Sequence, residues 1–562
     1  MHIYIDDNSN PLKEFQLPAN FTTELSRTNP FLTDEGSQSI PLTLPASEHN
    51  LRLVDFLHRG AFVYRPQSKI LVVLSEGSLW LRGNLVIGQV NKKEGIDCTV
   101  YMNEGELYEK IKDYKLRDLG WLDMPGLGVT VTMRAKYWMN RFLDIIQKKI
   151  EQPEEYYICN VWSESEFYVG SPKKGDYLML NELSFKDNVL SFYAMEEQKY
   201  YEQSDDEATE ITAPVGFGIT PFLRLGYVLR TIFKFFGYTL DANIFDTNES
   251  LKRVVVLNNV ADAIVDGYIH FKQLLPDVSV EDFLKAVRIK FGLEFIQKGN
   301  HISIKTWTEN LHSLPDMDLI SFIRNTKSYV LEEKKALSIE FQALTDHPHY
   351  RHTRSVEDLK KRNDSLLTHL SPSGFVEESL DIMDKTPYFY NGLSGYMKQE
   401  GIEGYAKSLE LLFINAVKYF NSDLIINGEL NEDSGENMDI SFCFSETSLS
   451  TFRNTKKYIA SRNYSDYLSL YATSVMGSSG SMVYENNIYE VLYKDRDKML
   501  QQANQQIIYE AVIPAHIINS MDISTPKIID GQKVLIERID YVIGRPDLCQ
   551  ITARTLHLME DK

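Results

Sequence analysis

Two stretches of the chain place apolar and polar residues in the same order. In Ser279–Phe295 (SVEDFLKAVRIKFGLEF), Val280, Phe283, Leu284, Val287 and Phe291 recur at helical spacing. Ser279 stands where an N-cap belongs, and Asp282 three residues on weakly imitates a capping box. Gly292 suits the left-handed residue that follows a helix. The period then changes to two, so LEFIQKGNHISIKTW predicts a hairpin turning at Lys298-Gly299-Asn300. Thr220–Leu240 (TPFLRLGYVLRTIFKFFGYTL) repeats the grammar. Thr220 reads as the N-cap, Pro221 as the first helical residue, where its missing N–H costs nothing, and Gly237 as the stop. This second helix is apolar nearly all round, which predicts burial on more than one side.

Elsewhere the pattern is mainly that of strands. Two Leu-Pro-Ala turns, Leu17–Ala19 and Leu44–Ala46, exclude helix around them. A hairpin is predicted from Leu85–Val90 and Ile96–Met102 across Asn-Lys-Lys-Glu-Gly. Amphipathic helices are predicted over Gly105–Leu116 and over Ala135–Ile150, the latter with Trp138, Phe142, Ile145 and Ile146 on one face. The acidic segment Glu196–Pro214 reads as a loop or linker. From Ala336 strands return. A helix opens at Ser355–Asp358, and strands interleave with one or two helices up to the C-terminal region. There, Asp530-Gly531 is a turn, Lys533–Asp540 alternates, and CQITARTLHL adds another strand of a β-meander. The predicted class is α+β and β-rich. The predicted domains are 1–125 (β-rich), 126–212 (mixed β, ending in the acidic linker), 213–330 (an α+β insert with both helix–Gly–strand units) and 331–562 (α+β/β, ending in the meander).

Composition supports a multidomain globular chain. It has 562 residues, too many for one ordinary core. Hydrophobic residues make up 43% and charged residues 25%, which excludes a disordered or fibrous chain. The 32 Tyr and 28 Phe lean toward pleated surfaces. A formal net charge of −20 argues against specific nucleic-acid binding, because phosphates are bound by Lys and Arg. The basic run Lys360–Arg362 reads as the solvated face of a mixed-charge helix. Cys98, Cys159, Cys443 and Cys549 are widely separated and read as free thiols in a reducing compartment. The first residues carry no secretory pattern, and no apolar run reaches the ~18 residues of a membrane span.

Candidate chemistry is sparse. Asp346, His347, His349 and His352 have the residue types of a transition-metal site. Pro348 interrupts them and the spacing matches no closed ligand set, so the favoured reading is an exposed loop that contacts another chain. Gly477–Ser481 (GSSGS) is neither a nucleophile elbow nor a P-loop. PVGFGITP and PGLGVT lack the third glycine and the context of a dinucleotide fold. With 79 acidic residues, no Asp/Glu pair is informative. The Asn20-Phe21-Thr22 sequon means nothing without a secretory context. No catalytic, cofactor-binding or metal-ligating residue is assigned, and no enzyme is predicted.

The order of parts resembles the baseplate hub (late-control-D-like) family of phage and prophage tails and contractile injection systems. The resemblance rests on SVEDFLKAVRIKFGLEFIQKGNHISI, on NPFLTDEGSQSIPLTLPASEHNLRLVDFLHR with the following GNLVIGQV, and on DGQKVLIERIDYVIG. It implies β-barrel domains split in sequence around an inserted helix–hairpin α+β region. It also implies a homo-oligomeric ring, typically a trimer, that joins tail tube to spike, with tube, spike and tape-measure proteins as partners. Assembly in the host cytoplasm and residence in the virion tail follow from the same resemblance. A tail-associated hydrolase and a carbohydrate- or protein-binding adhesin are the alternatives carried forward.

Overall fold

The computed structural model describes residues 2–556 apart from 6–12, 19–22, 33–38, 58–68, 77–78, 103–106, 108–109, 164–166, 170–178, 188, 204–207, 250, 332, 344–367, 370–373, 387–414, 418–437, 453–455, 463–488, 503–504 and 544–548. The fold is α+β and β-rich, as the sequence predicts, and includes one half-barrel sheet. No sheet closes on itself through the pairings seen among the described residues.

Both ends of the chain build one core. An antiparallel sheet near the N-terminus runs in the order His2–Ile5, Lys69–Glu76, Leu79–Asn91, Gly95–Met102, Ser39–Leu44. A second sheet runs Thr23–Thr28, Gln532–Ile543, Cys549–Thr555, Gln505–Ala511, Ile323–Leu331, with Lys527–Ile529 also paired to Gln532–Ile543. Ile3, Leu42, Val72 and Leu85 of the first sheet share a buried cluster with Ile507, Val534, Ile551 and Ala553 of the second. The join is local and polar. Arg27 donates to the carbonyls of Ile518 and Met521, the latter at 3.2 Å. The buried amide of Asn29 donates to the carbonyls of Ile523 (3.1 Å) and Ile536 (2.9 Å), and its Oδ1 accepts from the Phe31 N–H (3.0 Å), so the buried side chain that follows Thr23–Thr28 is paired.

The predicted alternation over Lys533–Asp540 breaks, for a visible reason. Val534 and Ile536 face the shared core, and so do Ile539 and Tyr541, which have the opposite parity. A register shift between Ile536 and Arg538 supplies the extra residue, a β-bulge. The bulged Glu537 is buried and paired with Arg554 (2.8 Å) and Gln506 (2.6 Å). The Asp530-Gly531 turn is as expected, with φ of 53° and 72°.

Between the ends lies a second, larger core. Helix Val280–Phe291 is capped by Ser279, whose Oγ accepts from the Asp282 N–H at 3.0 Å, and it ends at Gly292 with φ 55°. Asp282 only partly imitates the capping box, since its carboxylate accepts from the Ser279 hydroxyl at 2.7 Å. The Leu293–Lys298 and His301–Thr306 hairpin follows. Helix Leu225–Phe235 ends as expected at Gly237: Tyr238 N–H donates to the Phe233 carbonyl (2.8 Å) and Gly237 N–H to that of Lys234 (3.1 Å). The two units then meet. Thr239–Leu240 pairs in parallel with His301–Ile302, forming one three-stranded sheet, and the rings of Phe233 and Phe295 sit 5.3 Å apart.

Several expectations are corrected. Thr220 is not an N-cap and Pro221 does not open a helix. Phe222–Arg224 is a strand, wedged between Tyr156–Tyr157 and Val254–Val256, and the helix starts only at Leu225. A segment apolar on every side offers no period to tell a helical turn from a sandwiched strand. Thr220 is instead part of a buried polar knot. Its N–H donates to Asn181 Oδ1 (2.8 Å) and its hydroxyl to Asn258 Oδ1 (3.0 Å). Asn181 Nδ2 donates to the carbonyls of Cys159 (2.8 Å) and Thr220 (2.7 Å). Glu196–Pro214 is not a loop: Gln198–Gln203 and Ala208–Ala213 pair as a hairpin. The helix predicted over Ala135–Ile150 runs Val131–Ile146, capped by Thr130. Of Gly105–Leu116, Leu107, Lys110 and Ile111 are helical, and a 3-10 turn follows over Leu116–Asp118. The four cysteines are free and buried. The segments 346–352, 355–358, 360–362 and 477–481 lie outside the described residues.

These two features differ in the cost of losing them. Asn181→Ala strands three buried backbone groups and should lower unfolding free energy by about 3 kcal/mol or more. Ser279→Ala removes one exposed cap and should cost about 1 kcal/mol. Urea denaturation midpoints of the two variants check the order; equal shifts would contradict the assignment of Asn181 as the knot.

Candidate functional site

The most distinctive surface is a sheet edge. Ile323–Leu331 pairs with Gln505–Ala511 on one side, and among the described residues no strand pairs with its outer side. Ile323 still packs against the shared core, but the strand leaves that core as it proceeds. Tyr329 (64% exposed) and Leu331 (74%) point to one face and Val330 (44%) to the other, so both faces are uncovered there. An edge that is open, apolar and uncovered is a template for another chain. Two register shifts, between Ile323 and Asn325 and between Thr326 and Ser328, confine bulges to its first half and leave Ser328–Leu331 in regular register.

Beside this sheet is the ionic junction between the two cores. Asp522, in the loop before Lys527–Ile529, accepts from Lys298 (2.8 Å), beside the turn of the Leu293–Thr306 hairpin, and from Lys305 (3.3 Å), on its second strand. Ser524 completes the carboxylate's partners. Burial alone would raise the Asp522 pKa, but the hydrogen bonds from Lys298 and Ser524 and the charges of both lysines hold it well below the usual carboxylate range. Lys527 is fully buried and donates to Asp316 (2.6 Å) and Thr525 Oγ1 (2.7 Å). Burial pushes its pKa down against the pull of Asp316. Lys533 donates to the carbonyls of Leu311 (2.8 Å) and Ser313 (2.9 Å), closing the far side. This arrangement ties the two cores together through charged groups.

The residues singled out in the sequence divide accordingly. Ser279, Gly292 and Gly237 end helices, and Thr220 belongs to the polar knot. His347, His349 and His352 lie outside the described residues. Among the described residues, no group of three or more His, Cys, Asp and Glu is placed to hold a metal ion. None of the described helices is long and apolar enough to cross a membrane. Sequence reasoning missed Asp522 and Lys527, because their partners Lys298, Lys305 and Asp316 lie about 200 residues away in sequence.

No family model matches the chain, and no curated protein matches it. Among solved structures, the chain aligns with the prophage tail protein gp18 from Listeria monocytogenes EGD-e at 9% identity, covering 99% of this chain and 94% of that one, with a TM-score of 0.29. It also aligns with the 43 kDa tail protein of prophage MuSo2 from Shewanella oneidensis at 8% identity, covering 99% and 98%, with a TM-score of 0.25. TM-scores of this size do not establish a common fold.

Asp522→Ala removes the counter-charge of Lys298 and Lys305 and the partner of Ser524, and should cost about 1–2 kcal/mol, since Lys298 is largely exposed and screened. Because the folded pKa of Asp522 is depressed, its contribution is present above the unfolded value of about 3.9 and is lost as pH falls toward the folded one. Thermal melts between neutral and acid pH should therefore show a shallower acid loss in Asp522→Ala than in the wild type. Parallel acid profiles would contradict the junction's role.

Proposed function

We propose that the chain is a structural component of a phage or prophage tail, a baseplate or hub protein forming a ring between tail tube and spike. The observation that carries this reading is the split β domain. The resemblance implies a β domain interrupted by an α+β insert, and Thr23–Thr28 here pairs with Gln532–Ile543 across the whole intervening chain. The insert that interrupts it holds both helix–Gly–strand units, joined in one small sheet. The division into 1–125, 126–212, 213–330 and 331–562 is part of the same proposal, with the first and last segments contributing to the split domain.

The open edge at Ile323–Leu331 supports a homo-oligomer, with a trimer favoured. A neighbouring copy, or a tube or spike protein, would pair with this edge and cover Tyr329 and Leu331. The net charge of −20 suits a channel through which DNA slides without being held. The protein acts mechanically and carries no reaction. It assembles in the host cytoplasm and ends in the virion tail.

Light scattering on the full chain tests this. The expected mass is three times that of one chain, and Tyr329→Lys with Leu331→Lys should shift it toward one. Stability should move by no more than about 0.5 kcal/mol, since both side chains are exposed. A single-chain mass at the highest soluble concentration, unchanged when tube and spike proteins are added, would overturn the proposal.

A further inference from the structure

The PGLGVT segment forms an apolar loop with a close-packed base. Leu127 is 68% exposed and Val129 89%, in the loop between strand Asp123–Pro125 and helix Val131–Ile146. Among the described residues the strand pairs with Tyr268–His270 alone, as a two-stranded sheet. The Gly126 N–H donates to the Gly267 carbonyl (2.8 Å) and the Phe271 N–H to that of Leu122 (3.1 Å). The approach is close: a Cβ on Gly126 would stand 2.6 Å from the Arg134 carbonyl oxygen.

His270 spans this base with both ring nitrogens. Nδ1 lies 2.8 Å from Asp123 on the opposite strand, and Nε2 lies 2.9 Å from Asp266 in the turn before its own strand. Asp266 is fixed in place, since its other oxygen accepts from the Tyr268 N–H at 2.8 Å. The Tyr268 ring stacks near the imidazole at 5.8 Å and 17°, and the Arg134 guanidinium of helix Val131–Ile146 stands 5.2 Å over that tyrosine. Lys272 pairs instead with Asp118, at 3.9 Å. The carboxylates sit on opposite nitrogens, so these groups do not converge on a single metal ion.

We propose that His270 is a proton-controlled clamp that seats strand Asp123–Pro125 and so fixes the apolar loop behind it. An imidazolium has two N–H donors and satisfies both carboxylates. A neutral imidazole has one donor, and its bare nitrogen then faces a carboxylate oxygen. Asp266 cannot turn away without losing the Tyr268 N–H, so Asp123 is the partner released. Burial disfavours the charged ring, but the hydrogen bonds and charges of Asp266 and Asp123 outweigh it and raise the pKa above its ordinary value. With the folded pKa raised, the clamp is complete below the unfolded value of about 6.5 and is lost as pH rises through the folded one.

Amide hydrogen exchange of the full chain, corrected for intrinsic rates, tests this between pH 6 and pH 9. Protection over 122–126 and 267–271 should fall about two- to fivefold on deprotonation, the size of one charge-assisted surface contact. Gln532–Ile543 should keep its protection, which separates local release from general destabilisation. In His270→Gln the fall should vanish. Asp123→Asn should lower the His270 titration midpoint, read from its ring Cε1–H signal, and this arm decides the matter if His270→Gln does not fold. A pH-independent wild type, an equal fall in His270→Gln, or an unmoved midpoint in Asp123→Asn would overturn the clamp.

Discussion

The pairing of Thr23–Thr28 with Gln532–Ile543 is the constraint on which the rest of the architecture depends. It puts the first and last parts of the chain in one sheet and one core, to which Ile323–Leu331 and Gln505–Ala511 also belong. The entropy of closing so long a loop grows only slowly with length, so the topology is affordable at equilibrium. Its cost is kinetic. Ile3, Leu42 and Leu85 cannot finish burying until Ile507, Val534 and Ile551 exist and arrive. Arg27 and Asn29 make that arrival specific, because each donates to carbonyls that appear only near the end of the chain.

The two cores meet through apolar surface and through ions together: Phe31, Leu535 and Leu556 are buried in the larger core, with the Phe31 ring edge-on to Trp307 at 5.1 Å, and ion pairs lie beside them. Asp522 receives two lysines from the insert hairpin, while Lys527 turns inward to Asp316. Buried charges are poor contributors to net stability, but breaking one partner is severe, so such pairs punish misalignment. The Glu537–Arg554–Gln506 set does the same inside the sheet, where a bulge would otherwise leave a charged residue buried without partners. Among the described residues, the uncovered apolar side chains include those at the sheet edge and at the Leu127–Val129 loop.

What could be read from the sequence follows from how local each determinant is. Ser279, Gly292 and the Asp530-Gly531 turn were legible because caps and tight turns are written in adjacent residues. Gly237 was legible for the same reason, yet Thr220-Pro221 misled. Their local chemistry suits a helix start, while the neighbours of Phe222 and Leu223 lie dozens of residues away on either side and make a strand. The acidic Glu196–Pro214 stretch carries the polarity of a linker, but Gln198–Gln203 and Ala208–Ala213 pair as antiparallel strands. The bulge at Glu537 and the junction at Asp522 have no local signature, since each is defined by partners far away in sequence. The strand Ile323–Leu331 was missed in the sequence, where strands are expected to return only at Ala336, and its place at an edge depends on what pairs with it among the described residues.

The most direct test of the split domain is a cysteine cross-link between its two ends. Ser26 and Asp540 are register partners and share a hydrogen bond, while the four native cysteines are buried. In a chain carrying Ser26→Cys and Asp540→Cys, mild oxidation should join the pair within one molecule and shift its mobility on a non-reducing gel. The off-register pair Ser26→Cys with Lys533→Cys should stay open. Cross-linking that is no faster for the first pair than for the second would contradict the closure of the chain's ends in one sheet.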